Sequence, residues 1–306
     1  MLNKVKPANV LPLTHALKMA EKFQYATGSF SPRYTEMIKP VLQAGQKTDS
    51  PLIVQISQKE LERYGITPFE FGDEFYKQVE TLEITVPVVL HLDHTKELAV
   101  IKEAIEAGFT SVMIDASEKP FDENVKITKE VVEYAHEKGV SVEAELGMIG
   151  TTDFIETDSD EELYTDPIEA AEFVKQTGVD ALAVSCGTAH GVYMVREPKV
   201  DYDRLSSIRE LTPVHLVLHG GSGVPSEMIH KAFQLTNGGV SKVNIATDLE
   251  LSLLEAIGRE ERMTNAECKL LPLDELQAGQ KAVEETVSEK ITQFLLSANK
   301  ASHFNQ

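Results

Sequence analysis

Short apolar runs that alternate with helix-like segments are the feature of this sequence that most limits its fold. Eight such runs, rich in β-branched residues, lie at 25–30, 52–57, 86–93, 110–115, 141–146, 180–186, 213–219 and 241–246. Runs of this kind, separated by segments of helical periodicity, are typical of parallel strands joined by helices. Eight repeats in 306 residues predict an α/β fold, a (β/α)₈ TIM barrel with residues 1–306 in a single domain. An open, doubly wound sheet is the main alternative.

The segment TDPIEAAEFVKQTGV shows how the helices are delimited. Asp166 is placed to cap the helix, Pro167 to occupy its first position, and Gly178 to follow its end. The longest irregular stretch, DFIETDSDEELYTD, comes just before this helix and after a strand. We expect residues 150–166 to form a mobile acidic loop over the face where the strands end, with a solvated loop of no function as the alternative.

Charge and cysteine content limit the partners and the compartment. The chain has 49 acidic and 29 basic residues, a net charge of −20, which argues against nucleic acid or an anionic membrane surface as a partner. Cys186 and Cys268 form no CxxC pattern, so we expect no disulfide and a cytoplasmic, reducing compartment. The N-terminal residues lack a signal-peptide core, and no apolar run approaches the ~20 residues of a membrane span.

Titratable side chains follow several of the predicted strands. In a barrel of parallel strands, the chemistry lies where the strands end, so these residues should converge. Three histidines among carboxylates favour a divalent transition metal, most simply Zn²⁺, although each histidine alone would be better interpreted as a packed core residue. His91 and His215 lie deeper in their strands and are interpreted as structural. The strand-end residues are His94, His190 and His219, with Asp93, Asp115, Glu143 and Glu145.

A glycine-rich loop, LHGGSGVPSEMI, follows the seventh predicted strand. Its backbone N–H groups and the helix that starts near Pro225 are suited to bind an anion. Barrels often bind phosphate with the loops after strands 7 and 8, and the second of these loops is NIATD, where Thr247 offers a hydroxyl. The two loops would supply the local positive field that the overall charge lacks.

A metal beside a phosphate site suggests a phosphorylated substrate whose carbonyl or hydroxyl meets the metal. A Lewis acid at that place stabilises an enediolate, which cleavage of a carbon–carbon bond next to a ketone requires. Asp93, adjacent to His94, is placed to serve as the acid and base. Lys242 points inward one layer below Asn244 and is interpreted as structural rather than as a Schiff-base lysine.

With these residues, the sequence resembles the class II, metal-dependent ketose-bisphosphate aldolases, the family of fructose- and tagatose-bisphosphate aldolase. The matching stretches are HLDH, VMIDAS, VEAELG, CGTAHGVY, LHGGSGVP and KVNIATDL, which run in family order from about residue 10 to 295. The resemblance implies a cytoplasmic enzyme of carbohydrate metabolism and glycolysis that acts on a ketose phosphate or bisphosphate, with dihydroxyacetone phosphate as the donor half. It also implies a homo-oligomer, a dimer or tetramer, and admits a monovalent cation as a second cofactor.

The resemblance also implies a role for individual residues. Asp93 matches the catalytic proton donor and acceptor, and the loop acid that moves a proton at carbon 3 corresponds to Asp153, with Glu156 as a substitute. The implied metal ligands are His94, His190 and His219, with Asp115 and Glu145 at an alternative, more buried position. The implied substrate contacts are Ser57, Gly191, Gly220, Gly221, Ser222, Asn244, Ile245, Ala246 and Thr247.

Several positions depart from the family pattern at the distal end of the substrate. Ser31 replaces an asparagine, Met194 a lysine, and Leu273 the arginine that meets the distal phosphate, while Ala246 favours the tagatose-like branch. We therefore expect weak discrimination between a bisphosphate and a ketose 1-phosphate. The nearby cations that could compensate are Arg33, Arg196 and Lys199.

Two other functions fit parts of the pattern. A catalytically weakened sugar-phosphate-binding barrel is compatible with the altered loop acid and arginine. A metal-dependent hydrolase on the same fold would usually carry His-x-His on the first strand, where YATGSFS has no histidine.

Overall fold

Eight parallel strands close into a barrel in the computed structural model, which describes residues 6–148, 150–151, 164–190 and 197–305. The strands are β1 (Thr27–Phe30), β2 (Leu52–Ser57), β3 (Val88–Thr95), β4 (Ser111–Ile114), β5 (Ser141–Leu146), β6 (Gly150–Thr151), β7 (Ala181–Val184), β8 (Ala189–His190), β9 (His215–Leu218) and β10 (Val240–Ile245). The order around the ring is β1-β10-β9-β7-β5-β4-β3-β2, and β6 pairs with β8 in a separate two-stranded sheet. All eight predicted strands are confirmed. The open-sheet alternative is wrong, because β1 pairs with β10 from Thr27↔Lys242 to Phe30↔Ile245.

The helices lie before, between and after the strands along the chain. They are α1 (Leu13–Lys22), α2 (Ile38–Lys47), α3 (Gln58–Tyr64), α4 (Pro68–Thr81), α5 (Leu98–Glu106), α6 (Phe121–His136), α7 (Pro167–Thr177), α8 (Tyr202–Leu211), α9 (Ser226–Phe233), α10 (Thr247–Ala256), α11 (Asn265–Lys269) and α12 (Leu273–Glu289). Short 3₁₀ turns lie at Thr35–Met37 and Ala301–Asn305, and a π-helical turn at Lys290–Phe294. None of the helices in the described ranges is long and apolar enough to cross a membrane.

The boundaries of α7 are those that the sequence predicts. The Asp166 carboxylate accepts hydrogen bonds from the backbone N–H groups of Ile168 and Glu169, at 2.8 and 2.9 Å. Gly178 ends the helix at φ +71°, in the left-handed region where a side chain would be strained. The predicted acidic loop at 150–166 lies mostly outside the described residues.

The barrel interior changes from apolar to polar along its axis. At the N-terminal mouth, Leu13, Ala16 and Leu17 of α1 pack against inward-facing residues of the strands, among them Ile53 and Val89. Two residues further along the same strands, Gln55 and His91 occupy the next inward positions, because side chains alternate between the faces of a strand. Helix α1 therefore closes one end, and the polar layers lead to the other, where the candidate site lies.

Candidate active site

Candidate metal ligands from four strands meet at the C-terminal end of the barrel. The Nδ1 atom of His94, on β3, lies 2.9 Å from Asp115 Oδ2 and 3.9 Å from Glu145 Oε2. The Nδ1 atom of His219, just after β9, lies 3.2 Å from the same Glu145 oxygen. The two imidazole rings are 4.4 Å apart in an edge-on arrangement. The structure thus brings His94, Asp115, Glu145 and His219 together, as the strand-end positions predict.

An irregularity in β3 directs two successive side chains into the site. The pairing of β3 with β4 shifts register between Leu92 and Thr95, and His94 has φ +26°. Consecutive residues of a regular strand point to opposite faces, whereas a register shift re-aims one of them. Asp93 and His94 can therefore both serve one centre, although they are neighbours in sequence.

The donor set and its charge suit a divalent transition ion. Asp93, His94 and His219 each offer a ligand atom within 4.8 Å of the others, and so do His94, Asp115 and Glu145. Burial alone would lower the pKa of His94, but Asp93, Asp115 and Glu145 raise it to about 10. The cluster therefore favours a positive charge, and its mixed nitrogen and oxygen donors fit Zn²⁺ or a related ion.

The Asp93 carboxylate is held by two amides beside this centre. Gln55 Nε2 donates to Asp93 Oδ2 at 3.1 Å, and Asn244 Nδ2 donates to both oxygens at 3.1 and 3.2 Å. Burial would raise the pKa of Asp93, but the nearby His94 charge and further contacts hold it well below its usual range. Asp93 is thus an ionised, oriented carboxylate next to His94. The contact from Gln55 is not evident from the strand ends, because Gln55 lies one layer lower.

A buried ionic layer supports the site from below. Lys242 Nζ donates to Glu143 Oε2 at 2.8 Å and to His91 Nε2 at 3.2 Å. An ammonium has only donors, so His91 Nε2 accepts and its Nδ1–H donates to Ser111 Oγ at 2.8 Å. Lys242 and His91 therefore belong to a supporting layer, in agreement with their structural interpretation.

Glu143 fixes the orientation of His219. Its Oε1 atom lies 3.0 Å from His219 Nε2. Burial would raise the pKa of Glu143, but Lys242 and His219 lower it to about 2, so the carboxylate is ionised and Nε2–H is the donor. This contact turns Nδ1 of His219 toward Glu145, in the way that outer carboxylates commonly orient metal-binding histidines.

Replacing Lys242 with methionine should destabilise the protein strongly. The change leaves Glu143, which is fully buried, without its cation, a loss that typically costs about 3–5 kcal/mol. As a control, Lys47→Met removes an ion pair with Glu284 in which the lysine is 70% exposed, and should cost less than about 1 kcal/mol. Urea unfolding of both variants measures the difference. Equal losses of unfolding free energy would show that the buried layer does not stabilise the fold.

The two predicted phosphate loops lie side by side. The N–H of Gly221 donates to the carbonyl of Asn244 at 3.0 Å, and the N–H of Asp248 donates to Ser222 Oγ at 3.3 Å. A side chain at Gly221 would lie 2.5 Å from Val243 and 2.8 Å from the Asn244 carbonyl oxygen. The close approach of the GGSG and NIATD loops therefore depends on glycine, and the N-terminus of α10 opens beside them.

Gly220→Ala should cost more than a glycine replacement that is strained by conformation alone. Gly220 has φ +68°, and a Cβ there would overlap the backbone carbonyl of Ala189, which cannot move aside cheaply. Gly65 has φ +67° at the end of α3 with nothing near its missing side chain, so Gly65→Ala isolates the conformational cost of about 1–2 kcal/mol. We expect the loss of unfolding free energy in urea to be clearly larger for Gly220→Ala. A loss equal to that of Gly65→Ala would contradict the close packing of this loop.

The remaining predicted site residues lie in a helix cap, in strand β8, on the exposed surface or outside the described residues. The Ser57 side chain caps α3: its hydroxyl accepts from the N–H of Glu60 at 3.2 Å, and the Glu60 carboxylate accepts from the N–H of Ser57 at 3.0 Å. Leu273 begins α12 and is 69% exposed, and Lys199 is also exposed. The backbone of His190 forms β8, but its side chain is not among those described. Outside the described residues lie Asp153, Glu156, Gly191, Met194 and Arg196.

The chain is similar to known proteins over nearly its whole length. Residues 12–300 match the family model "Fructose-bisphosphate aldolase class-II". Fructose-bisphosphate aldolase from Geobacillus stearothermophilus is 39% identical over 287 residues, 94% of this chain and 97% of the relative. The same-named protein of Staphylococcus aureus (strain Mu50) is 40% identical over 294 residues, 93% of this chain and 98% of the relative.

Solved structures show the same likeness. The YdjI aldolase from Escherichia coli K12 has a TM-score of 0.80 and 31% identity, covering 95% of this chain and 99% of that one. A putative fructose-1,6-biphosphate aldolase from Coccidioides immitis has a TM-score of 0.75 and 28% identity, covering 94% and 97%. The chain therefore belongs to the class II fructose-bisphosphate aldolase family, whose members are metal-dependent carbon–carbon lyases.

Proposed function

We propose that this protein cleaves, and in reverse forms, a ketose phosphate or bisphosphate at the bond next to its ketone, with dihydroxyacetone phosphate as the donor half. The observation that carries the proposal is the position of Asp93. Its ionised carboxylate is fixed by Gln55 and Asn244 directly beside the converging His94 and His219, on the face that also carries the GGSG loop. A base, a metal centre and an anion site are the three parts that this cleavage needs.

The chain's own groups account for the movement of protons. Asp93 takes the proton from the hydroxyl on the carbon beyond the bond that breaks, which becomes the aldehyde carbon of the leaving half. The bonding electrons pass toward the ketone, and the carbon that keeps them takes up a proton, for which we propose Asp153, with Glu156 as its substitute. A bound divalent ion supplies a Lewis acid that stabilises negative charge on the ketone oxygen.

Binding of the donor half rests on the loops after β9 and β10. We propose that its phosphate meets the backbone of Gly220, Gly221 and Ser222 and the N-terminus of α10, with Asn244, Ile245, Ala246 and Thr247 beside it. Support comes from the contact between the loops and from the helix dipole of α10, which together give a local preference for anions in a chain of net charge −20. Gly191 completes the proposed contacts to the donor half, and Ser57 is proposed as a further contact to the substrate.

The metal proposal has two positions. We assign the catalytic one to His94, His190 and His219, and a deeper alternative to Asp115 and Glu145, with Zn²⁺ as the ion. Three wider properties are proposed from the family resemblance alone. They are a monovalent cation as a further cofactor, a dimer or tetramer, and a cytoplasmic role in glycolysis. The aldolase names of the relatives do not favour a hydrolase or a catalytically weakened binder.

A coupled assay for dihydroxyacetone phosphate tests the proposal. Ketose 1-phosphates and 1,6-bisphosphates are supplied to the protein as purified, after treatment with a chelator, and after Zn²⁺ is restored. We expect release of dihydroxyacetone phosphate that the chelator abolishes and Zn²⁺ restores. Binding of the sugars with no cleavage under any condition would favour the weakened binder, and release of inorganic phosphate alone would favour a hydrolase.

A further inference from the structure

A buried to partly buried group of charged residues lies on the same face as the candidate site but has no part in the proposed chemistry. Arg33 Nε donates to Glu60 Oε1 at 3.0 Å, and the same guanidinium contacts Glu250 through NH1. Glu250 also accepts from Tyr64 Oη at 2.7 Å and from Arg262 Nε at 2.8 Å. We call Arg33, Glu60 and Glu250 the rim cluster.

The strand order places the rim cluster beside Asp93. Ser57, whose hydroxyl donates to Glu60 at 3.1 Å, pairs in register with Asp93 across β2 and β3. Neighbouring strands lie about 5 Å apart, so Ser57 lies beside Asp93 and the Glu60 carboxylate that it contacts lies on the same part of the rim. Ser31, which donates to Glu60 at 2.8 Å, follows β1 and is bonded through its N–H to the carbonyl of Ile245.

This sector of the rim is the one that a long substrate would reach. The described metal candidates come from β3, β4, β5 and β9, and the phosphate loops follow β9 and β10. Strands β1 and β2 fill the ring between β10 and β3. For a ligand held at one end by the phosphate loops and at its ketone by the metal centre, β1 and β2 are the sector of the rim left for its remaining carbons, and the rim cluster lies there.

The charge of the cluster does not suit a second phosphate. One guanidinium faces two carboxylates, so the trio carries a net charge of −1. With Arg262, which pairs with Glu250 from a half-exposed position, the four groups are neutral and supply no net positive charge for a phosphate. The Arg33 guanidinium already pairs with a carboxylate on each side, Glu60 and Glu250. A phosphate dianion arriving here would meet Glu60, whose negative charge opposes it.

The hydrogen-bonding groups of the cluster suit hydroxyls instead. Ser31 and Ser57 donate their hydroxyls to Glu60 Oε2 at 2.8 and 3.1 Å, so their oxygens can still accept hydrogen bonds from substrate hydroxyls. Arg33 has φ +63°, a conformation that costs a residue with a side chain about 1–2 kcal/mol and is often retained at functional sites. The backbone is therefore held in a strained form that keeps the guanidinium between the two carboxylates.

We infer that the rim cluster is a specificity determinant that favours an uncharged, polyhydroxylated distal half and disfavours a second phosphate. In this inference Glu60 is the discriminating charge, and Arg33 and Glu250 hold it in place. The inference rests on the proposed aldolase function and adds to it the substrate class, a ketose 1-phosphate whose far end bears hydroxyls.

The ratio of kcat/KM for fructose 1,6-bisphosphate to that for fructose 1-phosphate tests the inference. We expect a ratio below one in the unaltered protein, because a second phosphate would meet carboxylates and a guanidinium that is already paired. Glu60→Gln removes the charge but keeps the shape, and should raise the ratio by about tenfold. Glu62→Gln, on the exposed side of the same helix, is the control and should leave the ratio unchanged.

Each outcome separates the inference from the proposed function. An unchanged ratio in Glu60→Gln would mean that the rim cluster only stabilises the fold, and would overturn the inference while cleavage itself persists. A ratio above one in the unaltered protein would overturn it without any variant, so the test holds even if Glu60→Gln does not fold. Absence of cleavage of both sugars would overturn the proposed function, and the inference with it.

Discussion

Asp93→Ala should lower the kcat for cleavage by about 10²–10⁴ while the protein keeps its metal. The reason is that we propose Asp93 as the group that receives the hydroxyl proton and the histidines as the ligands of the ion. Steady-state kinetics with a ketose 1-phosphate, together with metal analysis of the same preparations, measures both effects. Because Asp93 is buried among Gln55, Asn244 and Lys242, the isosteric Asp93→Asn is the better-matched variant for the fold.

Asp93→Asn should show the same loss of turnover as Asp93→Ala, since an amide cannot accept the proton. If turnover is unchanged in the amide variant, the acid and base must be assigned to another group. If both variants lose the metal together with activity, Asp93 acts mainly as a ligand, which the short distances to His94 and His219 also allow.

His219→Ala should remove most of the bound ion and reduce cleavage by more than about 10²-fold. Loss of an outer carboxylate that orients a ligand commonly costs about 10–100-fold in metal affinity or activity, and loss of the ligand itself should cost more. The matched control is His215→Gln. His215 begins the same strand and pairs with Glu21 at 2.8 Å, at the opposite mouth of the barrel.

Metal analysis after dialysis against a dilute chelator compares the two variants. We expect His215→Gln to hold as much metal as the unaltered protein and His219→Ala to hold little. Full retention of the ion by His219→Ala, and likewise by His94→Ala and His190→Ala, would rule out the proposed centre.

Local sequence patterns are sufficient to predict the strands and the convergence of the site. The runs at 52–57 and 141–146 coincide with β2 and β5 to the residue. The composition of a strand and the residues that mark the neighbouring helices are both local properties of the sequence. His94, Asp115, Glu145 and His219 are predicted to meet because parallel strands in a closed ring bring all their ends to one face. The capping of α7 by Asp166 is local in the same way.

The contacts beneath and beside the site are not predictable in this way. The pairing of Lys242 with Glu143 spans 99 residues, and that of Arg33 with Glu250 spans 217. Each pairing depends on the register between strands, or on which loop the start of a helix packs against. The sequence around either partner alone does not specify these arrangements. The aim of His94 likewise depends on a register shift that the regular pattern HLDH does not reveal.

We expect the metal centre beside Asp93, and not an imine on Lys242, to make the carbon next to the ketone acidic. Proton NMR of dihydroxyacetone phosphate in D₂O, with the protein but no aldehyde, measures this chemistry separately from the distal half. We predict that the metal-loaded protein exchanges a carbon-bound hydrogen of the substrate for deuterium. The same protein stripped of metal should show no exchange until Zn²⁺ is restored. Exchange that continues at an undiminished rate without metal would show that the acidity of this carbon does not depend on the metal centre.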